Sequence, residues 1–328
     1  MKAWKLFIAL DAVLLAAVAV AFVTMHGNAR TVRTGVVLVD SNLGHGDRTE
    51  GTGIVLRGGR EVLTNNHVIE GALSVRVTIP RTGRTYDAKI LGYDIRVDAA
   101  LLELEGAHRQ RTAPTALRPP RVGQEVLAVG GSTGKVSYSV GHIIGLHRSV
   151  TANSETGDVE RLSGLLEFDA GVQPGDSGGP LLDLQGNVLG VDTAGVTKTN
   201  FYQPLRRDHE SYAIPIGDAL AVAREIELGH GSGTLHVGAT AYLGIELDPR
   251  ATREGALVSG SIQGSPAARV GLGEGARITA ADGQIVEAPE QIVSLLLAKR
   301  PGQSLVLDWA DAAGRHTATV KLVAGPAL

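Results

Sequence analysis

One serine of this chain lies in a glycine-rich stretch that could make its hydroxyl a nucleophile. Residues 175–180 read Gly-Asp-Ser-Gly-Gly-Pro, with Ser177 in third place. A serine hydroxyl attacks well only beside a base, with N–H donors facing the oxyanion that forms. Glycine permits the sharp turn that this needs. The stretch predicts an oxyanion loop of Gly175, Asp176 and Ser177, in which the Gly175 and Ser177 N–H groups donate. The alternative is a glycine-rich turn with a buried serine.

A histidine and an aspartate upstream could activate that serine. His67 follows a predicted strand at residues 61–64, and histidine is the usual general base near neutral pH. Asp98 precedes an apolar run, where a buried carboxylate needs a partner such as a histidine N–H. Asp87 and Asp94 are the alternatives for the acid. The sequence thus predicts a catalytic triad of His67, Asp98 and Ser177.

The order of these three residues along the chain is that of chymotrypsin-type proteases, not that of subtilisins or α/β-hydrolases. The chain resembles the HtrA/DegP family of serine proteases with one C-terminal PDZ domain. The matching strings are Thr-Asn-Asn-His-Val-Ile at 64–69, Asp-Ala-Ala-Leu-Leu at 98–102, Pro-Gly-Asp-Ser-Gly-Gly at 174–179, Val-Asp-Thr-Ala at 191–194 and Tyr-Ala-Ile-Pro at 212–215.

The resemblance and the strand patterns together predict a mostly β protein. Many short apolar runs with tight turns indicate barrels or sandwiches, and the resemblance implies two six-stranded β-barrels with the triad at their seam, followed by an α+β PDZ domain. We expect an N-terminal transmembrane or signal segment at 1–30, the protease domain at 31–228, a linker at 229–237 and the PDZ domain at 238–325. The apolar spacing of residues 216–228 predicts a helix that closes the protease domain.

The first 30 residues contain an apolar run from Leu6 to Thr24 that is interrupted only by Asp11. As a helix, Trp4 to Thr24 would rise about 30 Å, enough to cross a bilayer. A cleavable signal peptide, processed near residues 19–21, is the alternative. Either reading puts the rest of the chain outside the cytoplasm, and we expect a single-pass bacterial membrane protein with its domains in the periplasm or at the cell exterior.

Two further sites follow from the resemblance. The walls of the substrate pocket are expected at Gly171, Val172, Gln173, Val191, Asp192, Thr193 and Ala194. A small or medium apolar side chain is the expected preference, with Asp169 and Asp192 leaving a basic preference open. The PDZ groove is expected at Leu243, Gly244, Ile245, Ile292 and Leu295. The alternative for 243–245 is an ordinary strand start.

The composition limits the partners that this chain can have. Its 328 residues carry a net charge of −3 with scattered basic residues, which argues against nucleic acid, and the absence of cysteine excludes a thiol nucleophile or disulfides. The predicted chemistry needs no metal or cofactor. The resemblance implies unfolded or misfolded protein substrates, C-terminal peptides at the PDZ groove and a homotrimer. The rival functions are a catalytically silent PDZ adaptor and another serine acyl hydrolase, such as an esterase.

Overall fold

The first part of the chain forms a closed antiparallel barrel. A computed structural model of the chain describes residues 34–44, 46–132, 134–153, 159–193, 210–248 and 255–328. The first six strands are β1 (Val36–Gly44), β2 (Asp47–Val55), β3 (Glu61–Thr64), β4 (Ser74–Ile79), β5 (Arg84–Asp94) and β6 (Ala99–Leu104). They pair in the order β5-β4-β1-β2-β3-β6, and β5 also pairs with β6, which closes the barrel.

A second barrel follows directly. Its strands are β7 (Glu125–Ser132), β8 (Lys135–Asn153), β9 (Val159–Phe168), β10 (Pro180–Leu182), β11 (Val188–Thr193) and β12 (Ser211–Pro215). They close in the order β10-β11-β12-β9-β8-β7. The prediction of two six-stranded barrels is therefore confirmed.

The seam between the barrels is filled by one apolar cluster. Leu63 and Leu101 from the first barrel pack there with Val129 and Val191 from the second, and all four are almost fully buried. Burying such side chains contributes roughly 1.5–3 kcal/mol each. One shared apolar cluster therefore holds the two barrels together.

Helix α1 (Ile216–Leu228) continues directly from β12 and covers this seam. Its buried residues recur at helical spacing: Ile216, Ala219, Val222, Ala223 and Ile226. The helix ends where Gly229 adopts φ +76°, a conformation that glycine tolerates at a helix C-terminus. The predicted bounds of this helix are confirmed.

The remaining residues form a small α+β unit. Its elements are β13 (Leu235–Val237), β14 (Thr240–Tyr242), β15 (Ile245–Leu247), β16 (Ala256–Ser261), α2 (Pro266–Arg269), β17 (Arg277–Ala281), β18 (Gln284–Ile285), α3 (Pro289–Ala298), β19 (Ser304–Asp311), β20 (Gly314–Lys321) and β21 (Val323–Gly325). The main sheet has the order β15-β16-β17-β19-β20 with β18 paired to β17, and β14 pairs with β21. We call the part from β14 onward the C-terminal unit.

The junction between the barrels and the C-terminal unit differs from a simple linker. Residues 235–237, expected in the linker, instead form β13, which pairs with β5 and extends the sheet of the first barrel. Leu235 and His236 are buried there, so the chain gains a backbone ladder and apolar contact. Only the glycine-rich part before β13 has a linker's composition.

Two of the sequence predictions fall outside the described residues. The expected membrane segment at 1–30 lies outside them, and so does Ala194 of the expected substrate pocket. Within the described ranges, no helix combines the length and the apolar character needed to cross a membrane.

Candidate active site

The first barrel brings His67 and Asp98 together. His67 follows the end of β3 and Asp98 precedes β6, and these neighbouring strands pair at Thr64 and Ala100. The His67 ring Nδ1 lies 2.9 Å from Asp98 Oδ2 and 3.1 Å from Oδ1. The backbone N–H of His67 also donates to Asp98 Oδ1 at 3.0 Å. A buried carboxylate that faces an imidazole in this way can fix the ring's tautomer and orientation.

The alternative acids lie elsewhere. Asp94 Oδ1 accepts the backbone N–H groups of Arg96 and Val97 and so stabilises the turn between β5 and β6. Asp87 is exposed on β5. Asp98 is therefore the one of these three aspartates that contacts His67.

Two side chains that the sequence did not single out for this purpose hold Asp98 in place. The Thr193 hydroxyl donates to Asp98 Oδ2 at 2.6 Å, and the Asn65 side-chain amide donates to the Asp98 carbonyl at 2.8 Å. Asp98 has φ +58°, a conformation that costs a non-glycine residue roughly 1–3 kcal/mol and persists only where the surrounding contacts enforce it. Local sequence carries no signal for either contact, because the partners are 95 and 33 residues apart.

The loop that carries Ser177 crosses the same edge of the first barrel. The Ser177 carbonyl accepts the N–H of Thr52 at 2.7 Å. Gly178 has φ +85°, and a Cβ there would lie 2.1 Å from the Thr52 carbonyl oxygen and 2.3 Å from Thr64 Oγ1. Since Thr64 is three residues before His67, this contact places the serine loop next to the histidine turn.

A second close approach supports the same placement. A Cβ at Gly51 would lie 2.6 Å from Cγ1 of Val68 and 3.1 Å from the Ser177 carbonyl oxygen. Val68 follows His67 directly in the chain. Gly51 therefore leaves the space in which the serine loop and the histidine turn approach each other.

The expected oxyanion loop is stabilised by contacts within itself. The Asp176 N–H donates to the Gln173 carbonyl, and the Gln173 N–H donates to Asp176 Oδ2, both at 2.9 Å. The Asp176 carbonyl accepts the N–H of Gly179. The Asp176 N–H is thus committed inside the loop, whereas those of Gly175 and Ser177 donate to no backbone acceptor in the described part of the chain. These two are the candidate oxyanion donors.

The carboxyl group of Asp176 in this loop lies near that of Asp192 on β11. Asp192 is fully buried, and neither of its carboxylate oxygens has a hydrogen-bond partner among the described residues. Burial raises the pKa of Asp192 well above its usual value, and the nearby charge of Asp176 raises it further. The backbone of Val129 opposes this rise only weakly, since its contact lacks hydrogen-bond geometry. Burial also raises the pKa of Asp176. Burial therefore favours the protonated form of the Asp192 carboxyl over its charged form.

The residues expected around the substrate pocket divide into two groups. Gly171 and Val172 are half-buried and Gln173 is exposed, directly before the serine loop. The side chain of Val191 lies in the seam cluster, and that of Thr193 is bound to Asp98. The stretch before the serine loop is therefore the part of the expected pocket that substrate could reach.

The residues expected at the peptide groove lie in the C-terminal unit. Gly244 has φ +77°, as a turn of successive backbone N–H groups needs. Leu243 and Ile292 are almost fully buried in the core of this unit, whereas Ile245 and Leu295 are only partly buried. Among the four apolar positions, Ile245 and Leu295 are the more accessible to a ligand.

Comparison with known proteins gives one family and a consistent set of relatives. The family model of the trypsin-like peptidase domain matches residues 51–191. Serine protease PepD of Mycobacterium tuberculosis is 28% identical over 304 residues, which cover 89% of this chain and 64% of that protein. A Halomonas elongata protein described as "Probable periplasmic serine endoprotease DegP-like" is 29% identical over 80% of this chain and 54% of its own length. The chain therefore spans between half and two thirds of the length of these relatives.

A solved structure agrees with these matches. The HtrA-type protease AlgW with a tripeptide aligns with 90% of this chain and 95% of its own, at 25% identity and a TM-score of 0.51. The alignment extends well beyond the barrels, whose last strand ends at Pro215. The similarity therefore includes the C-terminal unit as well as the double barrel.

Proposed function

The chain belongs to the HtrA/DegP family of chymotrypsin-like serine proteases, and on that premise we propose that it is a serine endopeptidase. The observation that carries the proposal is the His67 ring, bonded at 2.9 Å to the buried Asp98 and adjacent to the loop of Ser177. Its substrates are unfolded or damaged proteins outside the cytoplasm, bound as extended strands.

The proposed reaction is an acyl transfer in two steps. The Ser177 hydroxyl attacks the peptide carbonyl while His67 takes its proton, and Asp98 stabilises the cation that results. The N–H groups of Gly175 and Ser177 stabilise the oxyanion, each worth about 3 kcal/mol in comparable sites. His67 then protonates the leaving amine. Water hydrolyses the acyl-enzyme by the same sequence in reverse.

The remaining parts of the chain have proposed roles around this site. Residues 171–173 form a wall of a pocket for a small or medium apolar side chain. The C-terminal unit is a PDZ domain, with a groove for C-terminal peptides at Leu243, Gly244, Ile245, Ile292 and Leu295. Residues 1–30 anchor a homotrimer to the membrane of a bacterium, on its extracytoplasmic side. The periplasmic description of a relative supports that location.

Digestion of casein by the wild type and by Ser177→Ala tests the enzymatic proposal. We expect the substitution to lower kcat on the order of a million-fold, as loss of a triad nucleophile does. Ser163→Ala, which changes an exposed serine on β9, is the matched control and should retain activity. Equal turnover by the wild type and Ser177→Ala would reject the protease in favour of a silent adaptor. Turnover of esters without turnover of peptides would indicate another acyl hydrolase.

A further inference from the structure

The last three residues of the sequence pack on the turn that carries His67. This tail segment (residues 326–328) follows β21 and leaves the C-terminal unit for the first barrel. The Ala327 carbonyl accepts the N–H of Gly71 at 2.9 Å, and the Leu328 carbonyl oxygen accepts the side-chain amide of Asn66 at 3.2 Å. The tail segment thus holds the turn at both of its ends.

The turn that carries His67 is compact. The Asn66 carbonyl accepts the N–H groups of both Ile69 and Glu70 at 2.9 Å, which closes a single helical turn. His67 lies within this turn, directly after the residue that binds the tail segment. A displacement of Asn66 is therefore transmitted to the His67 ring through one peptide bond.

These contacts are buried. Asn66 is 2% exposed and Ala327 is 3% exposed, and Ala327 belongs to the apolar cluster of the first barrel. Asn66 Oδ1 has no hydrogen-bond partner among the described residues. A half-satisfied buried amide costs stability, so an apolar residue would suit this position better on stability alone. Packing alone therefore does not explain why an asparagine occupies position 66 and bonds Leu328.

Tyr93 joins the tail segment to the C-terminal unit. Its side chain is fully buried, its hydroxyl accepts the N–H of Leu328, and it lies 3.0 Å from the Thr240 hydroxyl. Thr240 pairs with Gly325, the residue that precedes the tail segment. The Tyr93 hydroxyl, which belongs to the first barrel, therefore contacts both the tail segment at Leu328 and the C-terminal unit at Thr240.

We propose that Asn66, Tyr93 and the tail segment form a clasp that positions His67 for proton transfer. Docking of the C-terminal unit then determines how well the base is aligned with Ser177. The inference rests on the proposed function, because it assigns His67 the role of general base. A displacement of about 1 Å at such a group can cost up to a hundredfold in rate.

Steady-state kinetics of Tyr93→Phe test the clasp with little change in shape. The substitution removes the hydroxyl that receives the Leu328 N–H, and we expect kcat to fall about fivefold, as for one lost hydrogen bond. KM should stay the same, since the contact does not touch substrate. Tyr86→Phe on the same strand is the matched control and should leave kcat unchanged. A protein truncated after Gly325 should lose about a hundredfold in kcat.

A substrate-independent measurement separates failure of the clasp from failure of the proposed function. Proton NMR reports the His67 Nδ1–H that bonds Asp98. We expect its resonance to shift or broaden in Tyr93→Phe and in the truncated protein, and to be unchanged in Tyr86→Phe. Folded variants with wild-type kcat and wild-type resonance would overturn the clasp. If the truncated protein does not fold, the kcat and the His67 resonance of Tyr93→Phe, compared with those of Tyr86→Phe, test the clasp. Wild type as inactive as Ser177→Ala would instead reject the proposed function, and the resonance would still test the clasp.

Discussion

At the seam, a hydrogen bond between two side chains connects the two barrels. Asp98 belongs to the first barrel, but the hydroxyl that holds its carboxylate at 2.6 Å comes from Thr193 of the second. The acid of the proposed triad is therefore oriented by the barrel that supplies the nucleophile. Separation of the barrels would misalign both at once.

Replacement of Thr193 by valine tests this contact at nearly constant volume. A hydrogen bond to a charged group is worth about 1.5–3 kcal/mol, so we expect Thr193→Val to lower kcat about 10- to 100-fold. Thr78→Val on β4 changes a half-buried threonine whose hydroxyl bonds Thr85 rather than Asp98, and it should leave kcat unchanged. Peptide hydrolysis provides the measurement. A kcat equal to that of wild type would mean that the proposed mechanism does not depend on this bond.

The buried carboxyl of Asp192 predicts a dependence of stability on pH. Its folded pKa is raised by burial and by Asp176, so the folded state binds more protons than the unfolded state above about pH 4. The free energy of unfolding therefore falls as pH rises from there through the folded pKa. We expect Asp192→Asn to remove this loss and therefore to stabilise the protein more at pH 8 than at pH 4.

Urea unfolding at several pH values measures the effect of Asp192→Asn. Asp87→Asn changes an exposed aspartate of β5 and is the control; it should leave the pH profile as it is in the wild type. A gain from Asp192→Asn that is the same at pH 4 and pH 8 would contradict a raised pKa of Asp192 in the folded protein.

At the scale of elements, the crossing of the serine loop over β2 depends on a residue without a side chain. Gly178 combines φ +85° with contacts that a Cβ could not make without moving backbone. The neighbouring atoms belong to Thr52 and Thr64, which are both fully buried. Neither residue can move aside without disturbing β2 or β3.

We expect Gly178→Ala to destabilise the protein by about 2–4 kcal/mol and to abolish most of its activity, because strain and overpacking combine. Gly217→Ala is the matched control. It lies near the start of α1 with open space around it, and should be neutral or stabilise the helix by up to about 1 kcal/mol. Thermal unfolding and peptide hydrolysis measure both. Equal stability of the two variants would contradict the tight crossing.

At the scale of the whole molecule, one helix of the C-terminal unit also contributes to the core of the first barrel. Leu297 on α3 packs in the apolar cluster of that barrel, whereas Leu296, one residue earlier, packs in the core of its own unit. The buried His236 next to β5 also binds the Leu297 carbonyl at 2.9 Å. One helix therefore has a face in each of the two cores.

Hydrogen exchange can distinguish these two faces. Leu297→Ala and Leu296→Ala should each cost about 2–5 kcal/mol. We expect Leu297→Ala to accelerate exchange in β5 and at residues 69–72 of the first barrel. Leu296→Ala should accelerate exchange within the C-terminal unit instead. The same exchange pattern in both variants would contradict separate cores.

Much of this architecture could be predicted from the chain alone. The apolar periodicity predicted α1 at residues 216–228 and a strand at 61–64, and both bounds are confirmed because such patterns reflect local backbone preference and one-sided burial. The resemblance to a known family implied the double barrel. The apolar run after Asp98 favoured that residue over Asp87 and Asp94 as the acid, an inference that needs only neighbouring residues.

The supporting contacts of the site depended on the tertiary structure. The partners of Asp98 in Thr193 and Asn65 are 95 and 33 residues away from it, and Asn66 meets Leu328 across 262 residues. β13, expected to be linker, became a strand because residues 92–94 of β5 lie beyond its pairing with β4 and were available to pair with it. The spacing of residues along the chain does not predict such long-range contacts. Closure of the sheets and packing of their cores decide which distant side chains come within hydrogen-bonding distance.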